Sequence, residues 1–212
     1  MKRWSSSWSR WPLLRAAARA GAALALCLPA LPTAQALNLA PGARVTTPQV
    51  QAELLAHAPE GVGPGKPLQL GLRLTHQPGW HTYWKNPGDS GLPVTLQWTL
   101  PPGLSAGDIQ WPTPQRIPIG DLANYGYEGR VLLPVPLRWA GGAATTAEAL
   151  TLRLKASWLV CRRECIPEEG EFALQLPLGG TGTRHTAEFE EAARASPRPA
   201  AGASARGEAT GQ

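Results

Sequence analysis

The sequence predicts an all-β fold over residues 37–178, arranged as an immunoglobulin-like sandwich. Three observations carry this. Short runs alternate apolar and other side chains at period two, as half-buried strands do. Clusters of Gly, Pro, Asn and Asp separate those runs. Proline recurs every few residues and no 3.6-period stripe persists, which argues against a helical body. Roughly seven to nine short strands at such spacing fit a two-sheet sandwich.

The elements follow in chain order. Residues 1–36 read as a secretory signal peptide. They hold five basic residues (Lys2, Arg3, Arg10, Arg15, Arg19), then the apolar run 20–31, then Ala34-Gln35-Ala36 as a small-x-small cleavage site. Pro29 and Pro32 interrupt the run, which is shorter than the about 20 apolar residues a membrane span needs. Cys27 is read as discarded with the leader, because Leu26 is not the small residue that a lipoprotein site wants before its cysteine. Strands are predicted at 68–74 and 150–154 from alternating leucines, at 94–98, at 131–135, where Pro134 suggests an edge, and at 172–176. Turns are predicted at 59–67, 86–91, 101–107 and 140–145. Residues 179–212 form a linker or tail. A short helix is expected over 186–195, with Glu188, Glu190 and Glu191 early and Arg194 late. From 196 onward no large apolar residue remains, and the segment reads as disordered.

Charge excludes several functions. The chain carries 20 Lys and Arg against 15 Asp and Glu. The five basic residues of the leader account for the excess, so the mature chain is neutral. Nucleic-acid binding needs a net basic face, and none is expected here. A polybasic membrane contact is excluded on the same ground.

The chemistry concentrates at Cys161 and Cys165, the two cysteines that survive removal of the leader. In an oxidising compartment such a pair forms one disulfide. Two thiols this close can attack a partner's disulfide and then resolve the mixed disulfide between them. A stapling role is the alternative. Closing a loop of about 5 residues contributes only about 2 kcal/mol, a weak staple for a domain of this size. Arg162 and Arg163 would favour a thiolate, and Glu164, Glu168 and Glu169 would oppose it. A metal site is a third reading: the two cysteines could bind a soft metal such as Cu(I) or, with His76 and His81, Zn, although no Cys/His spacing of a known zinc module appears.

Two more segments are dense. Residues 79–91 run Gly-Trp-His-Thr-Tyr-Trp-Lys-Asn-Pro-Gly-Asp-Ser-Gly. As a strand, this places Trp80, Thr82 and Trp84 on one face and His81, Tyr83 and Lys85 on the other. It reads as a core strand followed by a turn, with His81 a hydrogen-bonded structural residue. An aromatic platform for a sugar or peptide is the alternative. Gly88-Asp89-Ser90-Gly91 has turn-forming residue types, and no accompanying pattern makes Ser90 a nucleophile. Residues 121–129 (Asp-Leu-Ala-Asn-Tyr-Gly-Tyr-Glu-Gly) read as an ordinary loop before a strand; the functional alternative is an aromatic loop that lies over a reactive disulfide and shields it from stray thiols.

Taken in order, Trp80–Trp84, the run from Asn86 to Pro93, Ile109–Pro114, Asn124–Glu128 and Trp158–Glu168 resemble the N-terminal periplasmic domain of the DsbD/ScsB group of protein-disulfide reductases. The resemblance covers 45–178 and is greater to the ScsB-like branch. DsbD's domain has five residues between its cysteines, whereas this chain has three. The resemblance implies an immunoglobulin-like domain in the periplasm and no organic cofactor or metal. It implies that Cys161 and Cys165 are the redox pair. It implies a cap loop at 122–127, so that Asn124, Tyr125 and Tyr127 are candidate cap residues, with Asn124 standing where DsbD has an aromatic residue. Expected partners are thioredoxin-like proteins (of cytochrome c maturation among others), disulfide isomerases or copper-stress proteins. Family members continue into a transmembrane domain and a thioredoxin-like domain, and residues 189–199 resemble the linker toward them. A chain ending at Gln212 is therefore either a free-standing version or a fragment. A free-standing version needs a separate membrane protein as its electron donor. The rival function is a non-catalytic module that binds a protein or glycan and whose disulfide is structural. Exposed tryptophans over buried cysteines would mark it.

Overall fold

The computed structural model describes residues 42–140 and 148–197. The expected leader, most of the 140–145 turn and the tail from 198 lie outside the described residues. Among the described residues no helix is long and apolar enough to cross a membrane.

Eleven strands and one helix follow in order: β1 (Arg44–Thr46), β2 (Val50–His57), β3 (Leu68–His76), β4 (His81–Gly88), β5 (Thr95–Thr99), β6 (Leu104–Ala106), β7 (Gln115–Ile119), β8 (Leu122–Glu128), β9 (Arg130–Trp139), β10 (Ala149–Cys161), β11 (Cys165–Pro177) and α1 (Thr186–Ala195). One sheet has the order β1-β2-β3-β9-β6. The other runs β11-β10-β4-β8-β7, with β5 also paired to β10. Two antiparallel sheets face to face make the sandwich that the sequence predicts.

Alternation builds the core. Along β10, Leu150, Leu152, Leu154, Ala156, Trp158 and Val160 are buried, and Phe172, Leu174 and Leu176 of β11 join them. They meet Leu54 of β2 and Leu70, Leu72 and Leu74 of β3 in one cluster. Burying one such leucine contributes about 2 kcal/mol.

The first sheet is covered on its outer face too. Phe189 and Ala192 of α1 pack on Leu55 and Leu132. Gly71 makes this possible, since a Cβ there would press on Leu132 and Phe189. Arg73 pairs with Glu53 and, at 2.8 Å, with Glu188 of α1. The helical stretch of 179–212 is thus attached to the sandwich.

Two expectations need correction. Pro134 suggests an edge strand, yet β9 lies between β3 and β6. The carbonyls of Pro134 and Pro136 accept hydrogen bonds from Gln110 N–H (2.7 Å) and Gly107 N–H (2.9 Å). A residue's N and O point to the same side of a strand. The missing proline N–H groups therefore face this loop, and the ladder to β3 is intact. Residues 122–128, read as a loop, form strand β8, paired with β4 and β7. Gly126 sits so close to Thr82 that a Cβ would strike its carbonyl.

Candidate active site at the β10–β11 hairpin

The β10–β11 ladder runs in unbroken register from Ala149↔Pro177 to Cys161↔Cys165. The two cysteines are its last rung and are joined as a disulfide. Arg162, Arg163 and Glu164 close the hairpin, with Arg162 N–H donating to the Glu164 carbonyl at 3.1 Å.

The two sulfur-bearing residues differ sharply in access. Cys161 is 1% exposed, while Cys165 is exposed. Sheet order explains the difference. β10 lies inside its sheet and places Cys161 against His81 of β4. β11 is the edge strand, so no strand lies beyond Cys165.

Below the disulfide lies Tyr83, fully buried. Its hydroxyl is 3.8 Å from Cys165 Sγ and 3.3 Å from His81 Nε2. His81 and Tyr83 share one face of β4, two residues apart, and their rings meet edge to face with centroids 5.2 Å apart. The 88–91 turn wraps this ring. Gly91 has φ +97 and lies against Tyr83, where a Cβ would overlap the ring. The turn is fastened to β8: Asn124 Oδ1 accepts from Ser90 N–H (2.9 Å) and Ser90 Oγ–H (3.0 Å), and Asp89 Oδ2 accepts from Ala123 N–H (2.7 Å). Ser90 is thus committed to shaping the turn.

Burial sets the titration of the site. Desolvation pushes the His81 imidazole below its ordinary value, against a smaller upward pull from Glu128 across β8. Desolvation raises the Tyr83 phenol, partly offset by Ser90. His76 is pushed down to about 4, chiefly by burial. Its nitrogens contact the Gly129 carbonyl (2.9 Å) and Thr82 Oγ1 (3.0 Å), so it braces β4 from behind.

The charges near the pair sort themselves. Glu168 accepts hydrogen bonds from Trp158 Nε1–H and Thr47 Oγ1–H, both at 2.8 Å. Glu169 pairs with Lys155 at 3.2 Å. Arg162 lies over the Trp80 ring, 5.2 Å from its centroid.

Beside the disulfide a groove of about 590 Å³ is lined by Leu92, Pro93, Leu159, Pro167 and Glu169, among others. Leu159 and Pro167 face each other two residues from Cys161 and Cys165, on the same face of the hairpin. Leu92 at its rim is 65% exposed.

The three cap candidates separate. Asn124 is fully buried and holds Ser90. Tyr127 is buried and donates its hydroxyl to the Pro112 carbonyl at 2.7 Å. Tyr125 is 38% exposed. No described tryptophan is exposed, and Trp80, Trp139 and Trp158 belong to the core. Trp84, Trp98 and Trp111 are half-buried, so the described residues do not present the exposed tryptophan row expected of a non-catalytic binding module. Among the described residues no cluster of three or more His, Cys, Asp or Glu side chains is placed to hold a metal. The sequence reads His81 as a structural histidine and gives Tyr83 no role beyond a place on the same strand face. Their place under Cys165 follows from strand pairing across 82 residues of sequence, which no local signal encodes.

The described residues form a two-sheet β-sandwich with a disulfide-bonded cysteine pair at the tip of one hairpin. Residues 50–177 match the family model of the N-terminal domain of thiol:disulfide interchange protein DsbD, and the chain belongs to that family. The N-terminal periplasmic domain of ScsB from Proteus mirabilis has a similar fold, with a TM-score of 0.55 and 22% identity. The match covers 74% of this chain and 60% of that one, so this chain spans somewhat over half of the ScsB structure. The N-terminal domain of DsbD from Neisseria meningitidis, in its reduced form, matches with a TM-score of 0.32 and 14% identity over 62% of this chain and 86% of that one. No curated protein matches the sequence.

Proposed function

We propose that this chain works in the periplasm, passing electron pairs through Cys161 and Cys165 to disulfides of partner proteins. One observation carries the reading. The disulfide sits at a hairpin tip with one cysteine exposed and the other buried, an arrangement suited to one attacking and one resolving thiol. Cys165 is the attacking residue. Its thiolate attacks a partner disulfide and releases one partner thiolate, leaving a Cys165–partner mixed disulfide. The Cys161 thiolate then attacks Cys165 Sγ. The second partner thiolate leaves and the Cys161–Cys165 bond re-forms. Two electrons pass to the partner, and its two thiolates take protons from water. A membrane protein with its own dithiol supplies the electrons for the next cycle. No organic cofactor takes part.

Partners are proteins of the thioredoxin-like or disulfide-isomerase type. The groove between Leu92 and Pro167, two residues along β11 from Cys165, suits the extended chain flanking a partner's cysteine. Of the cap candidates, Tyr125 has the ring most open to solvent. On β8 it shares the face of Tyr127, opposite the rungs to His81 and Tyr83. It would therefore shield the pair only through the 88–91 turn, whose Gly88 its ring lies against. Asn124 and Tyr127 fix the strand that carries it.

The test mixes the reduced protein with an oxidised periplasmic thioredoxin-like protein, quenches with an alkylating mass tag and reads the redox state of each protein separately. The reading requires one disulfide reduced per protein and none with Cys161→Ser/Cys165→Ser. Equal reduction by the double variant would overturn it.

A further inference from the structure

We propose that His81 is a positioning residue: it turns the Tyr83 hydroxyl proton toward Cys165 Sγ, and so sets the reactivity of that sulfur. The inference rests on the exchange reading above and deepens it.

The Tyr83 hydroxyl has one proton; Ser90 also hydrogen-bonds this hydroxyl, and two further groups compete for the proton itself. One is His81 Nε2 at 3.3 Å, the other Cys165 Sγ at 3.8 Å. The imidazole tautomer decides between them. With the proton on Nδ1, Nε2 accepts from Tyr83 and turns an oxygen lone pair toward the sulfur, which would repel a thiolate. With the proton on Nε2, the imidazole donates to the Tyr83 oxygen, and the phenol proton is free to point at Cys165. The second arrangement makes a chain, Nε2–H to Oη–H to Sγ, that stabilises negative charge on Cys165.

Burial makes this chain work without a net charge on the ring. His81 is 2% exposed and held between Cys161 on β10 and Glu128 on β8. Desolvation favours the neutral imidazole. The other groups facing this region do not take over its role. His76 on β3 is occupied by Gly129 and Thr82. Ser90 also neighbours the Tyr83 hydroxyl, but its one hydroxyl proton goes to Asn124 Oδ1 at 3.0 Å, so it does not replace the Nε2–H donor. Arg162 lies over Trp80, and Glu164 is in the hairpin loop.

A hydrogen bond to Cys165 Sγ helps in both directions of exchange. It raises the thiolate fraction when Cys165 attacks a partner disulfide. It stabilises the same thiolate when Cys165 leaves during re-reduction of the pair. No proton is transferred in either step, so the hydroxyl returns unchanged.

The experiment measures iodoacetamide alkylation of Cys165 in the reduced protein at pH 7, located by peptide mass mapping, in the wild type and three variants. Tyr83→Phe keeps the ring under Gly91 and deletes only the hydroxyl. It should slow alkylation about tenfold, the effect of one hydrogen bond to a charged group. His81→Leu should slow it in the same direction. His81→Gln, whose amide N–H can replace Nε2–H, should stay within about twofold of wild type. Wild-type rates in Tyr83→Phe and His81→Leu would overturn the proposal. So would His81→Gln being as slow as His81→Leu, which would reduce His81 to packing. If His81→Leu does not fold, the Tyr83→Phe and His81→Gln arms decide. Alkylation needs no partner protein. A failure of partner reduction with the alkylation pattern intact would therefore sink the exchange reading alone.

Discussion

Cys161 and Cys165 face each other across the last rung of one hairpin, yet one is enclosed by the sheet and the other stands at its open edge. On the exchange reading proposed above, that asymmetry favours Cys165 as the attacking thiol. An incoming sulfur needs a clear line of approach, and only Cys165 offers one. Replacing Cys161 should therefore preserve attack and abolish resolution. The Cys161→Ser protein is expected to accumulate a mixed disulfide with an oxidised thioredoxin-like partner, visible on a non-reducing gel. Cys165→Ser should trap little or none.

Tyr125 keeps part of its ring in water, while its neighbours Asn124 and Tyr127 are tied to Ser90 and Pro112. If the ring shields the pair, Tyr125→Ala should speed reduction of the disulfide by glutathione several-fold. Stability should stay within about 0.5 kcal/mol in urea, as for a surface change. Unchanged reduction by glutathione would remove Tyr125 from the site.

Leu92 is the most exposed of the large apolar side chains at the groove. Leu92→Asp should lower kcat/KM about tenfold for a protein disulfide, the scale of about 1–2 kcal/mol of lost apolar contact. The rate with a small aromatic disulfide should not change. Equal loss on both would show damage to the sulfur chemistry instead of to docking.

His76 links stability to pH. Its pKa lies at about 4 in the folded protein against 6.5 in the unfolded chain. The unfolded state therefore binds more protons between those values, and stability falls as pH drops from about 6.5 toward 4. The loss amounts to about 3 kcal/mol at full titration. His81, also held below its ordinary value, adds to the loss in the same direction. Urea midpoints from pH 7 to pH 5 should show the decline, and His76→Asn should flatten it.

Much of this was readable from residues. The alternating leucines at 150–154 and 68–74 marked central strands because one face of each meets the core. The charge order of 186–195 marked α1. β2 was not readable, because Leu54 faces the sandwich core and Leu55 faces α1, which leaves no alternation. β8 read as a loop because Asn124, Gly126 and Gly129 are turn-forming types. Here Asn124 is occupied by Ser90, and Gly126 is required by Thr82. The cysteine spacing pointed to a disulfide. Which cysteine is exposed depended on β11 being an edge strand, a property of sheet order. The approach of Tyr83 to Cys165 depended on pairing between distant strands.

The most direct test of the exchange reading is the reduction potential of the Cys161–Cys165 disulfide, measured by equilibrating the protein with thiol buffers. The account predicts a value above about −250 mV, which would mark a labile, exchange-competent pair comparable with known oxidoreductases. A value below about −300 mV would make the bond a structural bridge and contradict the account.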